Sequence, residues 1–203
     1  MKVKKINLIL QELDITQLNQ LSKIFKPSNF KSLLNNAILK GKLISEIEIF
    51  LNKDGKLKDF IAKGKVKDLK TKIIPGINLD NTNLSFFADK NDILIKSING
   101  NIEDIKISDG DIKLNFENGL NLNSNFNSKL DLNNKQIGKY DKFFKNFDVA
   151  KNLRNISAEL NNNLFIKFDK TYKIEDYDYS FLGNLNKVKF ELVNTFKNRL
   201  INN

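Results

Sequence analysis

The longest run of strict alternation in the chain is residues 120–132, LNLNSNFNSKLDL. Leu120, Leu122, Ser124, Phe126, Ser128, Leu130 and Leu132 take every second position, and Asn, Lys or Asp fills each place between. Successive side chains of a strand point to opposite faces, so this run predicts a strand with one apolar and one polar face. The same period runs through KLISEIEIFL, with Leu43, Ile47, Ile49 and Leu51 on one side and Glu46 and Glu48 on the other. NKDG (52–55) predicts a hairpin turn. The return segment KLKDFIAKGKV then places Phe60, Ala62, Gly64 and Val66 together. IIPGI (73–77) reads as a break. NLSFFA with Phe86, DILIKSINGNI, EDIKIS and DIKLNF with Ile112, Leu114 and Phe116 follow, with turns expected at Asp109-Gly110 and Asn118-Gly119. These are short strands every 8–12 residues, joined in a meander.

The period changes in two places. After a strand at 3–13 with Ile6, Leu8 and Leu10 on one face, Asp14 begins DITQ, an N-cap signal with Gln17 at the third helical position. Ile15, Leu18, Leu21, Ile24 and Phe25 continue at helical spacing up to Pro27, and SNFKSLLNN allows a second short helix. Residues 137–153 return to a period near 3.6, with Ile137, Tyr140, Phe143, Phe144, Phe147 and Leu153 on one face of an amphipathic helix. A second set of strands follows as NISAEL, NLFIKF, YKIEDYDYSFL and NKVKFELV, then a polar tail. The expected fold is therefore mostly β: an antiparallel meander forming an elongated, curved sheet or groove. Its expected parts are a strand plus short helices (1–36), the meander (37–134), one amphipathic helix (135–153) and a second hairpin set (154–203). The unit of strand, tight turn, longer strand and small-residue bend recurs without a strict spacing.

Composition narrows the chemistry. With 203 residues and 40% apolar content, the chain has the means to bury a core. It has no Cys and no His, which removes disulfides, thiolate nucleophiles, imidazole bases and the usual zinc sites. The net charge is +10, nearly all from Lys, since Arg154 and Arg199 are the two arginines. An excess of Lys, Asn and Ile is the mark of an AT-rich coding sequence, which accounts for part of this charge. The start, MKVKKINLIL, is basic, but its apolar run is too short for a signal peptide. No run of 18 apolar residues suggests a membrane-spanning helix. The chain is expected either to remain in the cytoplasm or to be a piece of a longer exported protein.

Candidate sites each carry a plainer alternative. Glu46 and Glu48 share a strand face, as do Asp176 and Asp178, at the ~6–7 Å spacing a glycosidase pair can use. A solvated strand face explains them as well. NKDGK and SDGD resemble fragments of a calcium loop but lack its alternating oxygen set, so they read as turns and no metal or cofactor is expected. Lys53, Lys56, Lys58, Lys63, Lys65, Lys67, Lys70 and Lys72 crowd one hairpin and its exit. They suit phosphate, or they protect exposed strands from pairing with other chains. Arg forks and exposed aromatics on a recognisable motif are missing, so specific nucleic-acid binding is not expected. The apolar strand faces remain. A second sheet covering them makes a dry scaffold, whereas an open, curved meander holds acyl chains against them, and periodicity alone does not choose.

The order of segments resembles the AsmA-like superfamily of large bacterial envelope proteins, most closely its YhdP-type branch. In that branch a return strand of the form F-x-(small)-x-G-x-(apolar) leads into an apolar-Pro-Gly-apolar segment. Here these are Phe60, Ala62, Gly64 and Val66, then Ile74, Pro75, Gly76 and Ile77. The resemblance covers residues 5–133 well and 153–193 loosely. It departs where the family often has a Gly after the Pro-Gly element, since Asn81 stands there, and in the lack of a membrane anchor. It implies a non-catalytic internal segment of a periplasmic bridge-like lipid transfer protein, anchored to the inner membrane in full length. Such a segment would carry phospholipid acyl chains and help maintain the outer-membrane barrier. The residues lining the groove would be Ile47, Ile49, Phe60, Val66, Phe86, Ile112, Leu114, Phe116, Leu120, Leu122, Phe126, Leu130 and Leu132.

Overall fold

The computed structural model describes residues 4–17, 37–74, 77–116, 119–140 and 152–191. Nine strands dominate them: β1 (Lys5–Asp14), β2 (Ile38–Leu51), β3 (Leu57–Ile74), β4 (Ile77–Ala88), β5 (Asp92–Ile102), β6 (Ile105–Asn115), β7 (Leu120–Asn133), β8 (Leu153–Phe168) and β9 (Ile174–Phe190). They form one open antiparallel sheet in sequence order, a pure meander. Among the described residues, packing is almost wholly between sequential strands, and no second layer covers either face. The fold class expected from the periodicity holds. The second hairpin set continues the same sheet, because β8 pairs with β7 without interruption from Leu120↔Phe168 to Asn133↔Asn155.

The two ends of the sheet differ. At the upper end, connections are tight and held by Asn or Asp side chains. Asn52 Oδ1 accepts the N–H groups of Asp54 (3.0 Å) and Lys56 (2.9 Å), and Gly55 takes φ +79. Asp169 Oδ1 repeats the device, accepting from Thr171 (2.7 Å) and Lys173 (3.0 Å), with Tyr172 at φ +63 in the place of Gly55. The expected NKDG turn is thus present, and DKTYK is its second copy. At the lower end leave the two long connections. Asp14 caps a helical turn at 15–17 through the Thr16 N–H (2.9 Å), as expected. Leu18, Leu21, Ile24 and Phe25 of the expected helix, and the helix expected after Pro27, lie outside the described residues. Asn133 and Gln136 close a capping box over a short helix Asn134–Ile137, followed by a 3-10 turn Gly138–Tyr140. Of the amphipathic helix expected over 137–153, Ile137 ends this short helix, 138–140 form the 3-10 turn, and 141–151 lie outside the described residues. Phe143, Phe144 and Phe147 lie outside the described residues, and Leu153 belongs to β8.

Several strands are longer than their sequence suggests. NISAEL and NLFIKF fuse into β8, and YKIEDYDYSFL and NKVKF into β9. Asp109-Gly110, expected as a turn, lies in the middle of β6. For Asp109-Gly110 the reason is that it belongs to a series of β-bulges. Glu12, Asp68, Asn81, Ser97 and Asp109 have φ between +45 and +55, and each falls within a register shift between neighbouring strands. Asn and Asp tolerate this left-handed conformation better than other side-chain-bearing residues, at about 1 kcal/mol each. Neighbouring strands tie three of them down. The Asp68 N–H donates to Asn83 Oδ1 (3.2 Å), Ser97 N–H to Asp111 Oδ1 (3.1 Å) and Asp109 N–H to Asn99 Oδ1 (3.3 Å). A bulge bends its strand and raises local twist, so bulges in five of the first six strands crease the sheet along one line.

The crease gives the sheet an inside. Buried strand residues, among them Leu43, Ser45, Val66, Leu69, Thr82, Ile98, Ile107, Ser128, Leu132, Ala158 and Asn162, all fall on one face. Burial among the strands is thus confined to one face of the sheet. At the lower end buried residues form two clusters, Ile15, Leu43, Val66 and Leu69 on one side and Leu132, Ile137 and Tyr140 on the other.

Candidate functional site

Register assigns each apolar residue to a face, because directly opposed residues share one. Above the crease, one row runs through Leu8, Ile47, Ala62, Ala88, Ile93, Leu114, Leu122, Ile166 and Tyr177. The next row down runs through Leu10, Ser45, Gly64, Phe86, Ile95, Ile112, Ser124, Leu164 and Tyr179. Ile6, Ile49 and Phe60 extend the surface upward at one side, and Leu120, Phe168 and Ile174 at the other. An apolar floor thus crosses all nine strands. At ~4.8 Å between strands it is about 38 Å wide, and at ~3.4 Å per residue the three upper rows are ~14–20 Å tall. An apolar patch of that size exceeds the few hundred Å² usual on a monomer surface.

The residues proposed to line a groove fall on this face: Ile47, Ile49, Phe60, Val66, Phe86, Ile112, Leu114, Leu120, Leu122, Phe126, Leu130 and Leu132. Phe116 lies just past the end of β6, where its N–H donates to the Asn91 carbonyl (3.1 Å). They divide by height. Val66 and Leu132 are buried in the lower clusters, while Ile47, Ile49, Leu114, Leu120 and Leu122 are half-buried on the open floor. Sequence reasoning missed the contributions of β5, β8 and β9, including Ile93, Ile95, Leu164, Ile166 and Tyr177. A signal existed: inward positions keep a spacing of two and slip once to three, Leu10 to Leu13, Val66 to Leu69 and Ile95 to Ile98, each slip spanning a left-handed residue.

Two features break the apolar surface. Gly64 sits beneath the Phe86 ring, where an added Cβ would come within 2.9 Å of the ring and 2.2 Å of the Ile44 carbonyl oxygen. The small residue expected at this position thus makes room for an aromatic. Asn162, 1% exposed, is a polar knot in the floor. Its Nδ2 approaches Ser128 Oγ (2.9 Å) and the carbonyls of Phe126 (3.1 Å) and Leu160 (3.2 Å), and its Oδ1 accepts the Tyr179 hydroxyl (2.8 Å). It therefore joins β7, β8 and β9.

The outer face mixes a ladder of charged and amide side chains with apolar ones such as Ile9, Ile61, Phe87 and Phe165. Lys5 pairs with Glu48 (2.9 Å), Lys63 with Glu46 (2.9 Å), Lys70 with Asp80 (2.9 Å) and Lys129 with Glu159 (2.6 Å). The hydrogen bond and charge of Glu46 raise the Lys63 pKa, and Lys129 lowers that of Glu159. Asn125 bonds Asn163 (2.6 Å) and Asn161 bonds Asn127 (3.0 Å). Glu46 and Glu48 thus each meet a lysine on a solvated face. Among the described residues no cluster of carboxylates could hold a metal ion, and no helix is long and apolar enough to cross a membrane.

No family model, curated protein or solved structure matches the chain.

Proposed function

We propose that the chain is a non-catalytic segment of a bacterial envelope protein that holds phospholipid acyl chains on its apolar floor, within the periplasm. The observation that carries this reading is the nine-strand apolar face with no covering layer among the described residues. An acyl chain extends ~15 Å, half the thickness of a bilayer core. The floor is as tall as that and several chains wide. Its side chains are aliphatic and aromatic with scattered small residues, a surface without fixed polar demands, as suits a carrier of heterogeneous chains. The resemblance to the AsmA-like superfamily agrees with the open groove. The position where those proteins often carry Gly is Asn81, at φ +49, a conformation that favours Gly and next Asn.

A scaffold reading, in which a partner covers the floor, makes the same face an interface. The Lys-rich hairpin supports nucleic-acid binding less, since Lys63 and Lys70 already have acidic partners. The test is native mass spectrometry with lipid extraction on the purified full chain, expressed without detergent. Phospholipid should co-purify. It should be lost from Leu122→Asp/Phe126→Asp, and separately from Leu8→Asp on the half-open edge, while circular dichroism stays β-rich. A folded, lipid-free chain would overturn the reading in favour of a scaffold, and steeply salt-dependent nucleic-acid binding would favour the basic module.

A further inference from the structure

β9 is a sheet edge among the described residues, seventeen residues long and exposed almost throughout. Leu182 lies on its outer, otherwise polar side at 81% exposure. A long edge of this kind is a template for pairing with another chain. We propose that β9 pairs antiparallel with β9 of a second copy, across a two-fold axis beside Leu182 and normal to the sheet. Two copies then form one continuous sheet with their apolar floors on the same side. This inference rests on the edge alone, not on lipid binding.

The strand is self-complementary in that register. Its outer side carries Asp176 and Asp178 before the midpoint and Lys187 and Lys189 after it. A bulge at Asn186, between the pairs Ala158↔Leu185 and Ser157↔Lys187, brings both lysines to the outer side. With Leu182 opposite Leu182 of the second copy, Ser180 faces Asn184. Beyond the bulge Asp178 faces Lys187 and Asp176 faces Lys189, each twice by symmetry. On the inner side Phe181 faces Gly183, the aromatic-over-glycine pairing that Phe86 and Gly64 make within the sheet. The backbone agrees. Tyr177 N–H donates to Asp176 Oδ1 (2.9 Å), which marks it as turned away from β8. By alternation Tyr179, Phe181 and Gly183 point outward too, and these residues exchange backbone bonds in this register. Pairing hands the Tyr177 N–H to the second copy and frees Asp176 for Lys189. The other edge, β1, runs in the same direction as β9, since nine is odd. Joining β1 to β9 with floors aligned would be parallel and open-ended, whereas β9 to β9 is antiparallel and closed.

The chain has no cysteine, so Leu182→Cys introduces a single thiol. Two copies of that thiol would meet across the axis at a cross-strand separation that a disulfide spans. Mild oxidation should give a covalent dimer from Leu182→Cys and not from Asp178→Cys, which faces Lys187. By sedimentation the unmodified full chain should dimerise. Asp178→Lys should weaken the dimer about tenfold or more, and Asp178→Lys/Lys187→Asp should restore it. A chain that stays monomeric, equal cross-linking at both sites, no rescue by the charge swap, or a ladder of higher oligomers would each overturn the proposal.

Discussion

Asn162→Leu removes the polar knot while keeping the branched shape of the side chain. Asn162 offers two amide protons and one carbonyl oxygen, all engaged, so about three hydrogen bonds are lost at ~1 kcal/mol each. Ser128, itself 7% exposed, loses its amide partner, which adds ~1–2 kcal/mol. Burial of the leucine returns ~2 kcal/mol. The variant should be less stable by about 2–3 kcal/mol, a fall in Tm of ~5–10 °C for a chain of this size. Urea denaturation followed by far-ultraviolet circular dichroism measures this, with the slope m checked for constancy. Tyr179→Phe alone should cost ~1–3 kcal/mol, because it leaves the buried Asn162 Oδ1 without its donor. A double-mutant cycle between the two should show a coupling of ~1 kcal/mol. An Asn162→Leu variant as stable as the parent, or a coupling of zero, would mean that the knot is wet and that the floor is not packed around it.

Gly64→Ala should destabilise by ~2 kcal/mol or more, because its methyl group meets the Ile44 carbonyl and the Phe86 ring; Phe86→Leu in the same background should recover part of the loss by urea midpoint. Tyr140 is buried, and among the described residues its hydroxyl approaches the Asp104 backbone without reaching hydrogen-bond geometry. Tyr140→Phe should therefore be neutral or stabilising by up to ~1 kcal/mol, and a loss beyond that would reveal a hidden partner. Stability should also turn down at both extremes of pH. Hydrogen bonds from Lys139 to Asp104, from Lys129 to Glu159 and from Thr171 to Asp169 hold these carboxyls below their ordinary values. Their contribution is full above the unfolded values near pH 4 and is lost as pH falls through the lower folded ones. Lys63, Lys129 and Lys139 are raised by their carboxylate partners and Tyr179 by desolvation, so their contributions are full below about pH 10 and lost as pH rises through the folded values. Urea midpoints across about pH 2–11 should trace a plateau at roughly pH 5–9, and greater stability at about pH 3 than at pH 7 would refute the assignment.

Alternation in residues 120–132, in 43–51 and in 60–66 was enough to determine strands, their inward residues and the hairpin at 52–55. These are local properties: side-chain period and turn chemistry do not depend on the rest of the chain. The same reasoning misread Asp109-Gly110 as a turn, since a left-handed Asp followed by Gly serves a hairpin or a bulge equally well. Which of the two it becomes depends on β5, where Ile98 packs against Gly110 and Asn99 accepts the Asp109 N–H. The length of β8 and β9 was hidden for a similar cause. Their polar midpoints, Asn161 to Asn163 and Gly183 to Asn184, look like breaks until cross-strand partners appear on β7 and β8. Tertiary structure alone decided that the apolar rows of nine strands align into one floor, and that the buried strand positions lie on that same face. Alignment is a matter of register between strands distant in sequence. Keeping the apolar positions on one face takes left-handed bulges in five different strands, which no single strand contains.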